Sequence, residues 1–70
     1  MGTLIRADWL RRALALRGMT GEDLARESRL TASTISHACN GRAVSNGTIS
    51  AIARALARVH PIPGAEDLVA

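Results

Sequence analysis

The chain contains no lysine, no phenylalanine and no tyrosine, a single tryptophan (Trp9) and a single cysteine (Cys39). One cysteine rules out an internal disulfide framework, and with it the small disulfide-stapled scaffolds. One aromatic ring means that the core must be built from Leu, Ile, Val and Ala, which suit close helix packing and few strands. No apolar run approaches the ~18–20 residues that span a bilayer, so no membrane association is expected. The first residues lack a basic stretch followed by an apolar core, so no signal peptide is read and the expected location is cytoplasmic. No internal repeat or low-complexity segment is visible. The missing lysine, beside so much Ala, Arg and Gly, hints at a GC-rich genome and says nothing about chemistry.

Catalytic and metal chemistry also find little support. His37, Cys39 and His60 are the only residues of catalytic or soft-metal type besides carboxylates. In a helix, His37 and Cys39 point to different faces, so they cannot form a nucleophile–base pair or share a metal there. Zinc would need about four ligands at better spacing. No phosphate-cradling glycine loop or paired-carboxylate site is present. The expectation is a protein that is not an enzyme, with no cofactor and no metal, and Cys39 reads as a small core residue.

What is present fits one small domain over residues 1–70. A chain this short buries only about 60% of its unfolded surface and is marginal unless well packed or oligomeric. Apolar residues make up 47% of it, enough for a core, and abundant alanine favours helix. The fold class expected is all-α. Nine arginines against six acids leave a formal charge of +3, compatible with a nucleic-acid partner and equally with ordinary solubility.

Residues 20–41 organise the rest. Thr20 is a good N-cap with Asp23 three residues later, and Leu24, Ala25 and Ser28 share one helical face. Ser28-Arg29-Leu30 makes a turn with Leu30 as its apolar plug. Thr31 can cap a second helix whose inner face holds Ile35, Ala38 and Cys39. Ser33, Ser36, His37 and Asn40 share the outer face, and Gly41 follows as a stop. Small hydrogen-bonding groups on that face suit close approach to a partner, for which a DNA major groove is a good candidate.

Before this unit, residues 1–4 read as a loose arm. A helix should run from near Arg6–Asp8 to Arg17 and stop at Gly18, with Leu10, Ala13 and Leu14 inward. Ile5, Trp9 and Leu16 form a second apolar shoulder that needs a cover. Glu22 and Arg26 have the spacing of a favourable i, i+4 pair. After Gly41, residues 42–47 read as a loop, with Ser45 capping a fourth helix and Val44 as its staple residue. Ile49, Ile52, Ala53 and Leu56 line that helix, which should end near Arg58 or Val59 because His60 precedes Pro61. Residues 65–69 could form a closing turn. The apolar residues of 59–69 are expected to meet the Ile5/Trp9/Leu16 shoulder, within the chain or across a dimer, so that Trp9 is largely buried.

Gly18-Met19-Thr20, Leu24-Ala25, Leu30-Thr31, Ser33-Thr34-Ile35-Ser36, Asn40-Gly41 and Ile52-Ala53-x-Ala55-Leu56 together resemble the lambda-repressor-like (Cro-type, XRE) helix-turn-helix family. The likeness runs from about Leu10 to Leu56. It implies a compact bundle of four to five short helices that binds double-stranded operator DNA, usually as a two-fold homodimer. By the same resemblance, DNA-binding residues would be Gly21, Thr31, Ala32, Ser33, Ser36, His37, Asn40, Arg42, Ser45 and Asn46. Ala32, Ser33 and His37 stand at reader positions of the second helix. Asn40, Arg42, Ser45 and Asn46 match a phosphate-contacting loop. The plain alternatives are an exposed polar residue for His37, a helix cap for Asn40 and a solvated charge for Arg42.

Two departures stand out. The family commonly has glutamine at the first position of both helices, where this chain has Gly21 and Ala32, leaving backbone N–H groups for phosphate contact. The reading helix also lacks Arg, Gln or Asn before Asn40, which shifts weight toward DNA shape. Some relatives pair an arginine of the first helix with a glutamate of the third; Leu14 and Cys39 stand there, and an apolar contact is expected instead. The reading is a transcriptional regulator, a repressor of phage, mobile-element or bacterial origin. No separate effector domain is expected at this length, and no small-molecule effector is expected. The rivals are an excisionase-like or architectural DNA-binding factor and an antitoxin-like protein-binding module.

Overall fold

Three hydroxyl side chains start three of the four α-helices in the computed structural model, which describes residues 2–69. The helices are α1 (Ala7–Arg17), α2 (Gly21–Ser28), α3 (Ala32–Cys39) and α4 (Asn46–Arg58). Thr20 closes a reciprocal capping box on α2: its Oγ1 accepts from the Asp23 N–H at 3.1 Å, and its own N–H donates to Asp23 Oδ2 at 2.9 Å. Thr31 and Ser45 accept in the same way from the N–H groups of Thr34 and Thr48. Each cap satisfies a first-turn N–H that helix geometry leaves without an internal acceptor. Gly18, at φ 64°, supplies the left-handed stop of α1 that the sequence leads one to expect.

The α2–α3 turn is made differently. Arg29 takes the left-handed conformation (φ 59°) and its N–H closes α2 onto the Ala25 and Arg26 carbonyls. Leu30 follows with its N–H on the Ala25 carbonyl at 3.0 Å, half-buried against the core. The result is two short helices held at a fixed angle by an apolar plug.

The core is aliphatic, with Leu10, Leu24 and Ile35 its largest fully buried side chains. Leu14 lies in this cluster and Cys39 packs against its edge. Burial pushes the Cys39 thiol pKa up, opposed by the nearby Arg11 charge. No described helix is long and apolar enough to cross a membrane.

Four expectations are corrected. Residues 3 and 4 are not a loose arm: β1 (Thr3–Leu4) pairs antiparallel with β2 (Ala43–Val44), Thr3 opposite Val44 and Leu4 opposite Ala43. Two-residue strands are too short to show an alternating pattern in sequence. Residues 42–47 are accordingly not one loop, since β2 lies within them and Asn46 already begins α4. Arg26 pairs with Asp23 rather than Glu22, because the capping box has already fixed the Asp23 carboxylate beside it.

The fourth correction concerns Trp9. The tail does fold back on α1: the Ile62 N–H donates to the Leu16 carbonyl at 2.8 Å, and Ala65, opening a 3-10 turn (Ala65–Asp67), is buried. That anchor lies at the Leu16 end of α1, about 10 Å along the helix from Trp9. Trp9 therefore stays 56% exposed, and Leu68 is 89% exposed. Ile5 and Trp9 instead line an open apolar groove of about 320 Å³ with Ile49, Ala53 and Ala57 of α4.

Candidate nucleic-acid interface

The outer face of α3 carries Ala32, Ser33, Ser36 and His37, all exposed, while Ile35 and Ala38 on the opposite face are buried. The i, i+3, i+4 spacing sets this division, and burial of the apolar face locks the helix's rotation. Among the described residues, the side chains of Ser33 and His37 have no hydrogen-bond partner and remain available to a ligand. Ser36 and Asn40 are linked: the Asn40 Nδ2 donates to Ser36 Oγ at 3.3 Å. Asn40 Oδ1 in turn accepts from Arg11 of α1 at 3.4 Å.

Beyond α3 the chain turns back on itself. Gly41 is at φ 75°, and the Arg42 N–H donates to the His37 carbonyl at 2.9 Å. This bond sets the Arg42 backbone beside the last turn of α3. The Arg42 side chain is exposed, and like Arg29 and Arg54 it has no ion pair or side-chain hydrogen bond among the described residues. The remaining arginines are engaged. Arg6 lies 3.7 Å from Asp8, and Arg58 reaches Glu27. Arg17 binds carbonyls, as does Arg12, which donates to the Val69 carbonyl at 3.4 Å.

Thr31 and Ser45 have their hydroxyls committed to caps, and each also shares a hydrogen bond with the hydroxyl three residues on. Gly21 opens α2 next to α3: a Cβ placed there would stand 3.6 Å from Ile35 Cγ2. Asn46, at the start of α4, accepts from the Thr3 hydroxyl through Oδ1 at 3.1 Å. So Ser33, Ser36, His37, Asn40 and Arg42 are gathered along α3 and its exit. Gly21, Thr31 and Ser45 hold backbone, and Asn46 belongs to the β1–β2 corner.

Two residues of this surface have no sequence signal, Arg11 and Thr3. Each meets its asparagine across a long stretch of chain, and only the fold brings them together. Among the described residues, no three His, Cys, Asp or Glu side chains are grouped to hold a metal.

A half-buried helix with a small polar face, set against a second helix by a tight turn, defines a helix-turn-helix protein. A family model for helix-turn-helix matches residues 10–62. The chain belongs to this family, of the lambda-repressor (XRE) type, whose members are DNA-binding transcription regulators. No curated protein and no solved structure matches the chain.

Proposed function

We propose that the protein is a sequence-specific transcription regulator, a repressor of phage, mobile-element or bacterial origin, acting from the cytoplasm as a homodimer with α3 in the major groove. The observation that carries this reading is the outer face of α3. It offers Ser33, His37 and Arg42, whose side chains have no partner among the described residues, within a family of DNA-binding regulators. Ser33 and His37 would touch base edges, with Ala32 against a thymine methyl and Ser36 beside them. Arg42, Asn40 and Asn46 would contact phosphates, and the first-turn N–H groups at Gly21 and Ala32 would replace the missing glutamine clamp. Thr31 and Ser45 would contribute by holding the helix starts they cap.

A second copy has a surface to use. The open groove at Ile5 and Trp9 and the exposed Leu68 support pairing, which would double a short reading surface. The same groove favours the antitoxin-like alternative, in which a different protein occupies it. The lack of long polar readers on α3 favours the architectural alternative, in which DNA shape dominates.

Selection of bound fragments from random duplex DNA tests the reading. A single enriched motif with two-fold symmetry is expected. Enrichment of bent or flexible sequences without a motif would favour the architectural factor, and no enrichment at any salt concentration would reject DNA binding.

A further inference from the structure

Among the described residues, the Asn46 side chain has one hydrogen-bond partner, Thr3, 43 residues earlier in the chain. Three observations fix that meeting. The backbone pairs Thr3 with Val44 and Leu4 with Ala43 in antiparallel register. Val44, one residue before the α4 cap, is buried at 8% exposure, so β2 cannot drift from the core. Gly2 lies so close to β2 that a Cβ there would stand 2.8 Å from the Ala43 Cβ, so the approach tolerates only glycine.

The chemistry of the contact is directional. A carboxamide has an acceptor end and a donor end. The Thr3 hydroxyl donates to Oδ1, which occupies the acceptor end of Asn46. Both Nδ2 hydrogens have no partner among the described residues. Without Thr3 the exposed carboxamide could rotate and turn its oxygen outward, toward a phosphate that would repel it. With Oδ1 engaged by the Thr3 hydroxyl, as observed, both Nδ2 hydrogens are left for a partner.

We infer that Thr3 is a positioning residue for DNA binding: carried by the β1–β2 ribbon, it orients the Asn46 carboxamide so that its NH₂ group donates to a backbone phosphate. This inference rests on the proposed DNA-binding function and assigns part of that function to residues outside the helix-turn-helix. Asn46 carries no charge, so its contribution should be independent of counterion release, in contrast to that of Arg42.

The test is a double-mutant cycle on DNA affinity, measured with the full chain on a duplex obtained by site selection and across a salt series. Thr3→Val and Asn46→Ala should each weaken binding roughly threefold to tenfold, the range for one ordinary hydrogen bond. The double variant should be no weaker than the worse single one, and Thr3→Ser should restore affinity. The salt slope should stay unchanged in all of them. Asn46→Asp keeps the contact with Thr3 but presents an anionic oxygen, so it should bind more weakly than Asn46→Ala. Thermal melts of each variant check that the ribbon is intact. The inference is overturned if Thr3→Val binds like the parent, or if the two losses multiply. A parent chain that shows no salt-dependent DNA binding would overturn the DNA reading itself, and this inference with it.

Discussion

The Arg17 guanidinium closes the C-terminus of α4 from the end of α1: its Nε donates to the Val59 carbonyl at 2.7 Å and to the Leu56 carbonyl at 3.2 Å. Its Nη1 also donates to the Ala13 carbonyl at 2.8 Å, so one side chain ties two helices together. The last carbonyls of a helix carry partial negative charge and lack internal donors, and a half-buried cation satisfies both needs.

Arg17→Ala should therefore destabilise the fold by about 1.5–3 kcal/mol, the range for hydrogen bonds to a charged group. Urea unfolding measures it. Arg17→Lys, a point charge that cannot fork between carbonyls, should recover only part of the loss. Unchanged stability in Arg17→Ala would show that water replaces the guanidinium at no cost.

The capping box of α2 predicts a pH dependence. Hydrogen bonds from the Thr20 backbone and side chain, with Arg26 adding to them, hold the Asp23 pKa below its ordinary value of 3.8. A depressed carboxylate pKa gives stability that is fully present above that ordinary value and is lost as pH falls through the lower, folded-state value. Stability curves collected from pH 2 to 6 should show this loss in the parent, and Asp23→Asn should reduce the slope. Identical slopes would assign the acid loss to other carboxylates.

Arg42→Ala should weaken binding to all DNA sequences about equally and flatten the dependence of log affinity on log salt by about one unit. Fluorescence anisotropy across a salt series reads both. Should slope and affinity remain those of the parent, Arg42 is a solvated charge.

Ser33→Ala and His37→Ala should act on sequence preference. Each lost base contact is expected to cost about 1–3 kcal/mol on the selected site and much less on scrambled duplexes. Equal losses on both kinds of DNA would move these residues from base reading to positioning.

The open groove predicts self-association. Trp9→Glu should leave the helical content intact, because the ring is already 56% exposed, and should abolish pairing of two copies. Symmetric half-sites about 34–36 Å apart would then lose their cooperative occupation. Deleting residues 61–70 should weaken pairing too, since it removes the exposed Leu68. Sedimentation of parent and variants at matched concentrations, on the order of tens of micromolar, decides the matter. A parent that stays monomeric there and on DNA has no pairing surface.

The helix starts at Thr20, Thr31 and Ser45, the stop at Gly18, the inward stripe of α1, the outward face of α3 and most of the α4 stripe, where Ala55 is buried in place of the expected Ala53, are legible in the linear chain. They follow from interactions spanning at most a few residues: a hydroxyl meets an N–H three positions on, and apolar side chains recur at helical spacing. A reader of the sequence holds both partners of such a contact in one window. The side chains of the candidate DNA face were legible for the same reason.

Tertiary structure decided the rest. Thr3 with Asn46, Arg11 with Asn40 and Arg17 with Val59 pair residues 43, 29 and 42 positions apart. Nothing in their local composition distinguishes them from solvated surface. Trp9 shows the same limit from the other side. Its hydrophobicity demands a cover, but whether the returning tail supplies one depends on where Ile62 docks, and it docks at Leu16. Local hydrogen bonds and periodicity set which helices form and which way they face. The meeting of distant side chains depends on how those helices pack, and that is a property of the whole folded chain.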